Sequence, residues 1–185
     1  MNSPLKQELI KLTQSHAIKR GTFRLAGGGT SDFYIDMRLV TLHPQGAFTV
    51  GRMVFDIAVS VEPGVRAVAG PAVSGISIAS AVTVVSLQKN SPLFGLIVRS
   101  KAKDHGTMSM IEGMDNIPPP ASVVIVDDVL TSGSSLLAAV DQLRNAGYTV
   151  NNAVVLLNRM AGGVENLAQK GVQVHWCMEI KDLDI

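Results

Sequence analysis

The sequence predicts an α/β fold, a parallel twisted sheet with helices on both faces, together with a small N-terminal region of different pattern. Two observations carry the sheet. Apolar runs of strand length recur from Val65 onward without the polar alternation of a half-solvated strand. Stretches with apolar residues at helical spacing separate them, the pattern of βα units that pair in parallel. A third observation sets the N-terminal part aside: before Val65 the chain reads as helix, two short strands around a glycine turn, and helix. A length of 185 residues suits one domain spanning 1–185, with at most a small appended subdomain.

Each element has its own signal. Ser3 and Pro4 read as an N-cap and first helical residue, and Leu5, Leu9 and Leu12 follow at helical spacing. Residues 21–25 and 33–36 read as short strands around Gly27-Gly28-Gly29. Val50, Val54, Ile57 and Ala58 mark a helix that ends before Pro63-Gly64. Residues 65–69 form a strand closed by Gly70-Pro71, followed by a helix over 74–87 and a strand over 93–98. A polar loop, 99–120, ends in three prolines. Val123-Val124-Ile125-Val126 is the clearest strand; Leu136, Val140 and Leu143 then form a helical stripe that stops at Gly147. Strands over 150–157 and 172–178 flank a helix near 164–170.

Composition limits the possible partners. Hydrophobic residues make up 46% and charged ones 17%, which is enough apolar surface for a packed core. Lys plus Arg number 16 against 15 Asp plus Glu, so no basic footprint for nucleic acid or an anionic membrane is expected, and an anion site must be local. Cys177 has no intrachain partner and reads as a buried small hydrophobe, in keeping with a reducing cytoplasm. No signal peptide is visible at Met1-Asn2-Ser3-Pro4, and the most apolar stretch, 76–87, is too short to span a bilayer. His16, His43 and His175 lack a second ligand-type residue at metal spacing and read as structural. Trp176 reads as packing.

The strongest chemical signal is Val123-Val124-Ile125-Val126-Asp127-Asp128-Val129-Leu130-Thr131-Ser132-Gly133-Ser134-Ser135. A buried strand ends in two adjacent acids, and a Thr/Ser/Gly turn opens a helix. Small residues let backbone N–H groups converge on a phosphate, hydroxyls add donors, and the helix N-terminus adds positive potential. The acids would repel that phosphate; they suit neighbouring sugar hydroxyls, or a metal. A ribose 5-phosphate unit satisfies both halves. No G-x-x-x-x-G-K-[ST] and no G-x-G-x-x-G after a strand competes. The loop Arg99-Ser100-Lys101-Ala102-Lys103-Asp104-His105-Gly106 gathers cations in a glycine-containing segment, as a solvated loop or as a device for a departing anion.

This block resembles the fingerprint of type I phosphoribosyltransferases. Three further segments resemble the orotate phosphoribosyltransferases within that family. They are 21–38, similar to F-x-L-x-S-G-x-x-S-x-x-Y-x-D-x-R; 98–113, similar to the mobile catalytic loop; and Asn158-Arg159-Met160-Ala161-Gly162-Gly163, similar to D-R-x-x-G-G. The resemblance implies that Asp127 and Asp128 clamp the ribose of 5-phosphoribosyl-1-pyrophosphate (PRPP), while Val129, Leu130 and the run Thr131, Ser132, Gly133, Ser134 and Ser135 complete its phosphate site. Val73 and Ser74 fall in a segment similar to the pyrophosphate loop. Arg99, Lys103 and His105 are implied for pyrophosphate and catalysis, Lys103 foremost. Arg159 and Thr131, with backbone at Tyr34 and Ile35, are implied for orotate, and residues 1–40 for a small N-terminal hood region over the base site. Mg²⁺ is the implied cofactor, held mainly by donor oxygens near Asp127, with no protein ligand assigned. A homodimer sharing its catalytic loop across the interface is the implied assembly. The sequence departs from the family pattern at Ser100, Ala26 and Ser74, each standing where some or most members carry lysine, and at Gly27, where serine is usual. A non-catalytic PRPP-binding regulator, or a transferase for another acceptor, are the competing expectations.

Overall fold

A computed structural model describes residues 3–24, 30–100 and 110–185. Helix α1 (Pro4–Leu12) opens with the Ser3 hydroxyl accepting the Lys6 N–H at 3.2 Å, the predicted cap. A single π-helical turn (Thr13–Ala17) leads into β1 (Ile18–Arg24), which pairs antiparallel with β2 (Thr30–Ile35) as a separate two-stranded ribbon. A short helix α2 (Arg38–Thr41) precedes α3 (Pro44–Val61). The second predicted helix therefore starts six residues before Val50. His43-Pro44, which reads as a turn, is an N-cap followed by an N1 proline, where the missing N–H costs nothing.

From there the chain alternates: β3 (Ala67–Pro71), α4 (Ser74–Gln88), β4 (Phe94–Val98), β5 (Ile111–Glu112), β6 (Ser122–Leu130), α5 (Ser134–Asn145), β7 (Thr149–Asn158), α6 (Gly163–Gln169) and β8 (Gln173–Glu179). The sheet order is β5-β4-β3-β6-β7-β8. Every pairing is parallel except β4 with β5. That edge strand and a 3-10 turn (Met114–Asn116) lie inside the predicted loop 99–120. A two-residue strand has no periodicity to read.

Successive strand residues face opposite sides, so one continuous apolar run builds two cores. Val68, Val124, Val126 and Val154 join Leu9 of α1, Val54 of α3 and Ile78 and Val82 of α4. Ala69, Ile125, Ala153 and Val155 join Leu136, Val140 and Leu143 of α5 and Leu167 of α6 on the other face. Burying each such valine or leucine contributes about 1.5–3 kcal/mol, which explains why β6 and β7 lack alternation. Cys177 lies in the first core, and burial pushes its thiol up to about 12, so it stays an inert hydrophobe. Among the described residues no helix is long and apolar enough to cross a membrane.

Candidate active site

The chain leaves β3 for β4 on one side, then returns past β3 to β6 on the other. Between β3 and β6 the winding reverses, and the carboxyl ends of two such strands frame the crevice where open α/β sheets bind ligands. The loops after β3 and β6 are therefore the ones that matter. Gly70 and Gly75 let the first come close: a Cβ on Gly70 would stand 2.5 Å from the Gly75 carbonyl oxygen. The first turn of α4 thus packs directly on the end of β3.

Asp127 and Asp128 sit within β6, which continues to Leu130 rather than ending at Val126 as the apolar run suggests. Asp127 is only 3% exposed. Its Oδ1 accepts the Ser74 hydroxyl at 2.6 Å and the Asp128 N–H at 2.9 Å, and its Oδ2 accepts the Ser135 hydroxyl at 3.2 Å. Asp128 is half-buried, and its Oδ1 accepts the Val129 N–H at 2.7 Å. Burial, reinforced by the charge of Asp127, raises the Asp128 carboxyl to about 6. Burial also raises Asp127, but donors from Ser74, Asp128 N–H and Ser135 oppose it.

Beyond Leu130, Thr131, Ser132, Ser134 and Ser135 are exposed around a buried Gly133 at φ 78°. Leu137 N–H reaches the Gly133 carbonyl at 2.9 Å, so the preceding amides of α5 begin the helix without intrahelical partners. The loop is held from behind by Asn166, whose side chain donates to the Ser132 carbonyl at 3.0 Å. Gly163 presses on it too: a Cβ there would stand 2.4 Å from the Thr131 oxygen. Serine hydroxyls, open amides and a helix N-terminus give this loop the chemistry of an anion cradle.

Arg159 lies next to the cradle because β6 and β7 pair Leu130 with Asn158, and its N–H donates to the Leu130 carbonyl at 3.0 Å. Its guanidinium rests over the Phe33 ring at 5.4 Å. A cleft of about 490 Å³ opens there, lined by Thr22, Thr30, Ser31, Asp32, Phe33 and Arg159. The Tyr34 side chain meets the Phe23 ring at 5.6 Å and that of Ile35 packs in the core. Phe33, not assigned from sequence, is the residue of this strand that faces Arg159, and the alternation of β2 is the signal that would have found it. Arg99 follows β4, 3.3 Å from Glu112, in a cleft of about 370 Å³ shared with Ala72 and Ser100. Val73, 70% exposed, stands beside Ser74. Lys103 and His105 lie outside the described residues, as do Ala26 and Gly27. A cavity of about 690 Å³ runs from Arg38 and Val73 along α4 to Gln88, lined mostly by apolar side chains.

An acid pair beside a serine-rich helix N-terminus, at the switch point of a parallel sheet, has the chemistry to hold a phosphorylated sugar. Residues 40–177 match the phosphoribosyl transferase domain family. An orotate phosphoribosyltransferase of Nostoc sp. is 41% identical over 181 residues, 98% of this chain and 86% of that protein. The crystal structure of orotate phosphoribosyltransferase from Aeropyrum pernix superposes with a TM-score of 0.78 at 34% identity, covering 97% of this chain and 95% of that one. That of the Mycobacterium tuberculosis H37Rv enzyme with Fe(III) dicitrate gives 0.82 at 25% identity, covering 98% and 100%. The chain belongs to the phosphoribosyltransferase family, among the orotate phosphoribosyltransferases.

Proposed function

We propose that the chain joins orotate to PRPP, giving orotidine 5-phosphate and pyrophosphate, a step of de novo pyrimidine (UMP) synthesis carried out in the cytoplasm. The observation that carries the reading is the half-buried Asp128 beside the anion cradle of 131–135, with Arg159 adjoining. Asp128 accepts ribose hydroxyls, and the open amides and hydroxyls at the start of α5 hold the 5-phosphate. Arg159, held over the Phe33 ring, takes the orotate carboxylate, and the ribbon β1–β2 forms the hood over the base. Arg99, Lys103 and His105 neutralise pyrophosphate as the bond to C1 of the ribose breaks. The base then closes on the carbon that develops positive charge, so no covalent nucleophile is required.

The site also fits Mg²⁺ carried by the donor. The half-buried carboxylate of Asp128 offers negative charge beside the sugar that carries the donor's phosphates. When bound, the ion neutralises charge on the leaving pyrophosphate. The active unit is a homodimer in which the loop around Lys103 serves the partner's site. What supports a dimer is the apolar patch exposed on the outer face of α4. Val84 and Leu87 are 61% and 70% exposed, beside Leu42 at 73% and Phe48 at 51%.

Product analysis tests the reading. Orotate, PRPP and Mg²⁺ incubated with the protein should give orotidine 5-phosphate and pyrophosphate in equal amounts by mass spectrometry. Binding of PRPP without any transfer would leave a regulator of the same fold in its place.

A further inference from the structure

Asp127 is held as no ligand-facing acid needs to be. Both of its oxygens are occupied by protein donors, it is 3% exposed, and the donors come from three segments. Ser74 is the first residue of α4, Asp128 N–H belongs to β6, and Ser135 lies in the first turn of α5. The Ser74 contact, at 2.6 Å, has the length of a hydroxyl donating to an ionised carboxylate. Helices α4 and α5 lie on opposite faces of the sheet. Asp127 thus ties their N-termini to each other.

We propose that Ser74 and Ser135 are positioning residues. Through Asp127 they form a hydroxyl–carboxylate–hydroxyl brace that fixes the loop after β3 against the loop after β6, leaving Asp128 as the acid that meets the sugar. The inference rests on the donor-site reading above. It gives Ser74 a role other than contact with the donor: its hydroxyl proton is already committed to Asp127, and the shared anchor sets how far apart the pyrophosphate and 5-phosphate ends of the site stand. It also explains why an acid is kept almost wholly out of water one residue from the acid that works.

The test uses the full chain with Ser74→Ala, Ser74→Thr and Ser135→Ala. Two readouts are taken: amide hydrogen exchange across the first turn of α5 without ligand, and calorimetric titration with ribose 5-phosphate, which lacks the pyrophosphate. Ser74→Ala should speed exchange in α5 and weaken ribose 5-phosphate, each about tenfold, the scale of one lost charge-assisted hydrogen bond. Ser74→Thr, which keeps the hydroxyl, should restore both. Ser74→Ala combined with Ser135→Ala should cost less than the sum of the two, since either alone opens the brace. Unchanged exchange in α5 with Ser74→Ala, or strictly additive losses, would overturn the proposal. Exchange that responds to Ser74→Ala in a protein that binds no ribose 5-phosphate would keep the brace and overturn the donor-site reading instead.

Discussion

Adjacent carboxylates in one strand end have different work because consecutive strand residues point to opposite sides. Asp127 turns inward to Ser74 and Ser135; Asp128 stays half-buried at the crevice. Raising an acid from 3.8 to about 6 in the fold means the folded state binds the proton more readily than the unfolded chain. Stability therefore rises as pH falls from about 6 toward 4, and the charged acid costs stability at neutral pH. Asp128→Asn should then be more stable than the parent at pH 7 by about 1–3 kcal/mol, while its PRPP affinity collapses. Urea unfolding at pH 7 and pH 4.5 with a PRPP titration checks both; equal stability at both pH values, or unchanged affinity, would remove the charge cost from the account. The acid pair was legible in the sequence as a motif. The division of labour was not, because it depends on a serine 53 residues away that only the β3–β6 pairing brings near.

At the scale of elements, the cradle owes its shape to what stands behind it. Gly163, the first residue of α6, allows that helix to start in contact with the Thr131 carbonyl and the Leu130 side chain. Gly163→Ala should push the cradle out of place. The expected cost is about 1–3 kcal/mol of stability, with weaker phosphate binding, measurable by urea unfolding and a titration with inorganic phosphate. Stability and affinity both equal to wild type would show that the loop yields freely. The sequence contained Gly163 only as part of a motif; that it abuts Thr131 follows from the parallel pairing of β6 and β7. The long strands and helices were legible because burial on both faces imposes continuous apolar runs. The π-helical turn, α2 and β5 were not, since they are too short for a period and are held by tertiary contacts.

On the scale of the whole molecule, four motifs in order marked the family before any geometry, and the fold brings three of them, around Phe33, Asp128 and Arg159, to one end of the sheet. The fourth contributes Arg99, while Lys103 and His105 fall outside the described residues. If Lys103 serves the partner's site, Lys103→Ala and Asp128→Asn proteins should each be nearly inactive. Mixed in equal amounts under subunit exchange, they should recover about a quarter of wild-type activity, from half the dimers being mixed with one intact site in each. Exchange verified by mass spectrometry without recovery would place the loop in its own chain's site. The central claim, that Arg159 makes this transferase read a carboxylate-bearing pyrimidine, is tested most directly by acceptor specificity. The measurement is kcat/KM with PRPP and Mg²⁺ for orotate, uracil and adenine, in wild type and Arg159→Ala. The account predicts turnover of orotate alone, falling on the order of a hundredfold in Arg159→Ala, chiefly through the orotate KM and with the PRPP KM little changed. Uracil or adenine used as well as orotate, or both KM values moving together, would contradict it.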